Sequence, residues 1–188
     1  MRRGDLIRAA VLLGLTLAAS LAEGQVLNSG AQAINLTANL NESMTLTLSS
    51  NSVSFSLTAG SGTNPGSGNI TATTTWLLKP GRTAVGVYAY FANSAVALTD
   101  NATPTADNIP SSAFLISNNG GTLTALTATT PFGGANAGMQ LSNTAITGVN
   151  KNATRTDTMS FNIDLSSQTQ LPAGTYTGVL TIQAQATP

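Results

Sequence analysis

Apolar and polar residues alternate with a period of two along stretch after stretch of this chain, and that period belongs to β-strands with one buried face. Ile34, Leu36, Ala38 and Leu40 alternate with Asn35, Thr37 and Asn39. After a break at Asn41-Glu42-Ser43 the pattern resumes at Met44, Leu46 and Leu48, and again at Val53, Phe55 and Leu57. Further on, Met159, Phe161, Ile163 and Leu165 alternate with Ser160, Asn162 and Asp164. Abundant Thr, Ser, Asn and Gly would otherwise suggest a disordered stalk, but a hydrophobic fraction of 41% and this phasing exclude one.

The remaining segments supply more strands and the turns between them. Ile70, Ala72, Thr74 and Trp76 lead into Lys79-Pro80-Gly81-Arg82, where Pro and Gly suit the central positions of a type II turn. Val85, Val87 and Ala89 follow, so residues 69–91 read as a hairpin. Residues 93–112 read as a loop around Pro104 and Pro110, with one short strand at 95–98. A strand at 114–117 meets the hairpin signal Asn118-Asn119-Gly120-Gly121, returns over 123–129 and breaks at Pro131-Phe132-Gly133-Gly134. Strands are also expected at 139–147, 157–165 and 175–185. About ten short strands with turn signals between them point to an all-β fold, a β-sandwich in one domain over residues 23–188, with a closed barrel as the alternative.

The first residues read as an export signal rather than as part of the fold. Arg2, Arg3 and Arg8 precede an apolar run from Ala9 to Leu21, and small residues at Ser20, Ala22 and Gly24 fit a cleavage site after 22 or 24. That run falls short of the roughly 20 residues needed to cross a bilayer, and no later segment is long and apolar enough to do so. Secretion to the cell exterior or surface is the expectation. Beyond the leader, Lys79, Arg82, Lys151 and Arg155 stand against Glu23, Glu42, Asp100, Asp107, Asp157 and Asp164. Four scattered cations make no basic patch, so nucleic acid is not an expected partner.

The composition also removes most reactive chemistry. With no histidine and no cysteine, the serine–histidine and cysteine–histidine arrangements and zinc sites are out of reach. Asp157 and Asp164 read as solubilising charges at the strand edge, and Asp100, Asn101, Asp107 and Asn108 as turn formers rather than calcium ligands. No enzyme activity and no cofactor are expected.

Leu171-Pro172-Ala173-Gly174-Thr175-Tyr176-Thr177-Gly178-Val179-Leu180-Thr181-Ile182 resembles the last strand of fimbrial and spore-coat-like subunits of bacterial surface fibres, and Ile34 through Leu48 resembles their opening strand. Many such subunits carry a cysteine pair, which this chain lacks. The resemblance implies an immunoglobulin-like sandwich short of one strand, assembled into a homopolymer by strand exchange with a periplasmic chaperone and its assembly machinery as partners. Affinity there comes from main-chain bonds along a sheet edge and from alternating side chains in pockets. The residues implicated are Val26, Leu27, Ile34, Leu36, Ala38 and Leu40 in the exchanged strand, and Tyr176, Gly178, Leu180 and Ile182 in the closing strand. Two donors qualify: the extension 25–33, or Ile34–Leu40 hinged at Asn41-Glu42-Ser43.

Few strand charges fit the same picture, since monomeric sheets usually blunt their edges with Lys, Pro or inward charges. The rival reading is an adhesin or carbohydrate-binding module acting as a monomer. Tyr88 and Tyr90 have the parity opposite to Val85 and Val87, which would set both rings on one outer face, while Trp76 shares parity with Ile70 and Ala72 and reads as core.

Overall fold

The computed structural model describes residues 29–103 and 105–188. The expected leader, both cleavage positions, Val26 and Leu27 lie outside the described residues. Leu40–Pro188 forms one compact unit. Its strands are β1 (Ser43–Leu48), β2 (Ile70–Leu77), β3 (Ala84–Tyr90), β4 (Leu98–Thr99), β5 (Asn108–Ile109), β6 (Phe114–Asn118), β7 (Thr124–Ala125), β8 (Gly138–Ala145), β9 (Asn152–Ile163) and β10 (Thr181–Thr187). A 3-10 turn at Ser111–Ala113 is the only helical piece among the described residues, so the fold is all-β.

One sheet runs β1-β2-β9-β6-β7 and the other β10-β3-β8, with β4 and β5 paired separately and every ladder antiparallel. The alternation read from the sequence decides what lies between the sheets. Ile70 and Ala72 of β2, Phe114 and Ile116 of β6 and Met159, Phe161 and Ile163 of β9 meet Val87 and Ala89 of β3 and Leu141 of β8 in one core. A smaller cluster of Trp76, Leu78 and Val85 fills one end. The Trp76 indole donates to the Asn150 carbonyl at 2.9 Å, which satisfies its polar edge inside that cluster. The opposite parity faces out as rows of threonine: Thr45, Thr75 and Thr154 stand abreast, as do Thr47, Thr73 and Thr156.

Several segments depart from expectation. Residues 69–91 do not form a hairpin. β2 finds partners in β1 and β9, and β3 in β8 and β10, so the two strands lie in opposite sheets and long-range pairing overrides the local turn. The turn itself is as expected, with Gly81 at φ 96, but it carries the chain across the sandwich. Ile34–Leu40 belongs to no strand, and 53–57 makes one isolated bridge, Phe55 with Gly66. The short strand expected at 95–98 forms at Leu98–Thr99, and the return at 123–129 contracts to β7. β9 starts earlier than 157, while β10 starts later than 175 because Thr177 bridges Thr99 instead.

Asp157 is also not a surface charge. It shares parity with Met159 and Phe161, points inward and is fully buried. Arg155 grips it with Nε and Nη2 at 2.9 Å to either oxygen, and Ser142 of β8 donates to Oδ2 at 2.9 Å. The Asn118 and Asn119 amides each donate to Oδ1 at 3.0 Å. Because Ser142 and Asp157 belong to different sheets, this cluster ties the two layers together. Burial opposes the ionised form, but the bonds from Arg155, Asn118 and Ser142 and the charge of Arg155 outweigh it and hold the carboxyl below its ordinary value.

A depressed folded-state pKa gives stability that is complete above the unfolded value of 3.8 and is lost as pH falls through the folded one. Asp157→Asn is expected to cost about 3 kcal/mol at neutral pH, because it leaves the guanidinium without its buried partner. The same substitution should flatten the fall in stability below pH ~4. Urea melts of both proteins across that range measure the two effects together.

Candidate functional site

The two far edges of the sandwich are joined, and the two near edges are not. On the far side Ala128, just past β7, exchanges both backbone hydrogen bonds with Gly138 of β8, at 2.8 and 3.0 Å. On the near side β1 ends one sheet and β10 ends the other, each hydrogen-bonded to a neighbouring strand on one edge. A groove of about 840 Å³ opens there. Its floor is the core itself, with Ile70, Phe91, Phe114, Met159, Phe161 and Ile163 reaching it between the sheets.

One wall follows β1 through Leu48, Val53, Phe55 and Leu57. Val53, Phe55 and Leu57 point toward the core yet stay half-buried, since no strand of the described residues covers them. Past β1, at 53–57, this wall lacks a ladder and is braced by carboxamides. Buried Asn64 receives Thr58 N–H on Oδ1 at 2.8 Å and donates from Nδ2 to the Ile163 carbonyl at 2.8 Å. Its own N–H donates to Asn162 Oδ1 at 2.8 Å. Gly66 completes the brace, because a Cβ there would stand 2.7 Å from Val53 Cγ1. Edge-to-face contacts of Phe114 with Phe55 and with Phe91 continue from wall to floor, with centroids 5.7 and 5.2 Å apart.

The other wall is the segment before β10. Leu171, Tyr176, Leu180 and Ile182 line it, with Val179 77% exposed on the rim. Thr177 and Thr99 exchange backbone bonds at 2.9 Å, and Gly178 lies so close to the Ala97 carbonyl that any Cβ would overlap it. Tyr176 donates its hydroxyl to the Pro172 carbonyl at 2.9 Å, and burial followed by the charges of Asp100 and Asp107 pushes its pKa up. Tyr176, Gly178, Leu180 and Ile182 are thus brought together on one wall, although only Ile182 lies within β10.

At one end the walls converge. Arg82, in the β2–β3 turn, binds Glu42 through two bonds, Nε to Oε1 at 2.8 Å and Nη2 to Oε2 at 3.0 Å. Its Nη1 donates to the Ala186 carbonyl of β10 at 3.4 Å. The hydrogen bonds from Arg82 hold the Glu42 carboxyl below its ordinary value, against the opposing effect of desolvation.

Ile34, Leu36 and Leu40 are 85%, 90% and 82% exposed, and residues 29–42 carry no helix or strand. Tyr88 and Tyr90 do share the outer face of the three-stranded sheet. Phe132 lies against both, edge-on to Tyr88 and stacked on Tyr90 with centroids 5.9 Å apart, and Tyr90 donates to Gln183 Oε1 at 2.7 Å. Trp76 is core. Asp100 accepts the Ala102 and Asp107 amides at 3.0 and 2.9 Å as a turn former does. Among the described residues no three acidic side chains converge on one point, and no helix is long and apolar enough to cross a membrane. Compared with known proteins, the chain matches no protein-family model and no curated protein.

The Asn64–Asn162 brace and the Arg82–Glu42 pair are features of the groove that no sequence pattern signals. Asn162 sits among the outward-parity positions of β9 and so looked solvated.

Gly178→Val is expected to push the second wall off the 97–99 backbone and cost about 1–3 kcal/mol, the usual range for overpacking. Chemical denaturation measures that cost. The same variant should show altered fluorescence of a hydrophobic dye bound in the groove.

Proposed function

We propose that this chain is a secreted structural subunit of an extracellular fibre or surface layer, in which the segment Ile34–Leu40 of one copy fills the groove of the next. The observation that supports this most is the pairing, within one sequence, of an uncovered apolar groove with an exposed segment of matching period. Along the first wall, inward side chains recur every second residue, a spacing of roughly 6.6 Å in extended chain. Ile34, Leu36, Ala38 and Leu40 recur at the same spacing. Full burial of each large side chain among them contributes about 1.5–3 kcal/mol, and main-chain bonds to an open edge add directionality.

This favours Ile34–Leu40 as the donor over 25–33, whose Gln-Val-Leu-Asn-Ser-Gly-Ala-Gln-Ala order lacks the two-residue apolar repeat. Donor and acceptor are different surfaces, so one-way donation is head-to-tail and extends where the rotation does not close, whereas reciprocal exchange would give a closed dimer. The immunoglobulin-like character and the chaperone partner implied by the fimbrial resemblance belong to the same reading. Phe132 over Tyr88 and Tyr90 makes that face a weaker candidate for a sugar platform.

Negative-stain microscopy of the purified mature chain is expected to show filaments. Leu36→Asp should give dispersed particles with an unchanged circular-dichroism spectrum, because the residue is exposed in the single copy. Dispersed particles from the unmutated chain at high concentration would overturn the proposal.

A further inference from the structure

We infer that the Glu42–Arg82 ion pair regulates this groove by denying the donor segment a turn back into its own molecule; the inference rests on the groove being a strand-binding site. Glu42 is the residue just before β1, and its carboxylate is held on both oxygens by Arg82. The Lys79 amide also reaches Oε1 at 3.4 Å. The same guanidinium touches β10 at Ala186, so the junction between donor segment and β1 is fixed to both edge strands.

Parity decides what a back-folded donor would need. Directly opposed residues of an antiparallel pair point to the same face. In β1, Met44 and Leu46 face the core while Thr45 and Thr47 face out. A two-residue turn at Asn41-Glu42 would oppose Leu40 to Ser43, Ala38 to Thr45 and Leu36 to Thr47. That register turns the apolar side chains to the threonine face and buries Asn35, Thr37 and Asn39.

The correct face requires Ala38 opposite Met44 and Leu36 opposite Leu46, which leaves Leu40-Asn41-Glu42 as a three-residue loop. Such loops close with a left-handed residue at the third position, a place suited to Gly. The third position is Glu42. Among the described residues those with positive φ are Asn101, Asn119, Asn136 and four glycines, and Glu42 is not one of them. A non-glycine residue resists that conformation by sterics alone, and the two bonds from Arg82 hold Glu42 out of it. Back-folding through a two- or three-residue turn is therefore opposed in both registers, which favours a second copy as the occupant of the groove.

Glu42→Gly removes the ion pair and supplies the left-handed residue, and Arg82→Met removes the ion pair and the bond to the Ala186 carbonyl without supplying that residue. In the full mature chain, Glu42→Gly is expected to lower the pelletable polymer about tenfold, the factor by which a relieved left-handed penalty shifts an equilibrium. The monomer that appears should carry a protease-resistant segment 34–40. Arg82→Met should move the same way by a smaller factor. Wild-type levels of polymer from both variants would overturn the inference.

A second measurement separates this from failure of the groove reading. A synthetic peptide of residues 29–41 is added to the full chain carrying Leu36→Asp. If the peptide raises Tm while both ion-pair variants polymerise normally, the groove reading stands and the regulatory role of Glu42–Arg82 falls. If the peptide leaves Tm unchanged, the groove does not take this strand, and both fall.

Discussion

The edges of β1 and β10 face the same gap, and no strand of the described residues lies in it. Much else in the molecule answers to that vacancy. A sheet edge that borders an apolar floor has backbone groups to satisfy and side chains to cover, and neither need is met by the opposite sheet. Beyond β1 and before β10 the walls have no ladder to stiffen them, so they are fixed from behind. Asn64 and Asn162 tie the first wall to β9, while the Thr177–Thr99 bridge and the close approach at Gly178 tie the second to the 97–99 segment. Fixed walls matter energetically, because a groove already open does not spend binding free energy on ordering itself.

The opposite flank shows what closure looks like in this fold. Ala128 and Gly138 join the sheets through the backbone, and Asp157 joins them through side chains. A buried carboxylate is tolerated there because five donors surround it, Arg155 contributing two of them. Polar clamping on one flank and an apolar opening on the other give the sandwich a direction. The Arg82–Glu42 pair adds a second direction, along the groove, by drawing β1 and β10 together at one end.

Strand content was legible in the sequence because a two-residue period carries through any pairing partner. β1, β2, β3, β6 and β8 sit close to where alternation puts them. Which strand pairs with which was not legible. The Pro80-Gly81 turn looks the same whether it closes a hairpin or arches between sheets, and only long-range partners distinguish the two. Asp157 was misread because charge was weighed ahead of parity; its spacing from Met159 already pointed inward. The apolar residues of both groove walls could be named in advance. Their meeting across an open gap could not, since 53–57 and 171–180 carry strand-like patterns without forming ladders.

That mismatch between pattern and pairing is itself informative. A segment alternates in sequence when one face is to be buried, whether or not the burial happens inside one molecule. In 53–57 and 171–180 the inward faces are half-covered, and in 34–40 all of the apolar residues are exposed. If Ile34, Leu36, Ala38 and Leu40 enter a groove beside β1, then Asn35, Thr37 and Asn39 come to lie on the same side as Thr45 and Thr47. The rows of threonine would continue across the added strand with no charge among them, so that stacking one copy on the next brings no Coulomb repulsion to that face. On the proposed reading, the scarcity of charge along these strands and the uncovered apolar period share one explanation: both suit a surface extended by its own kind.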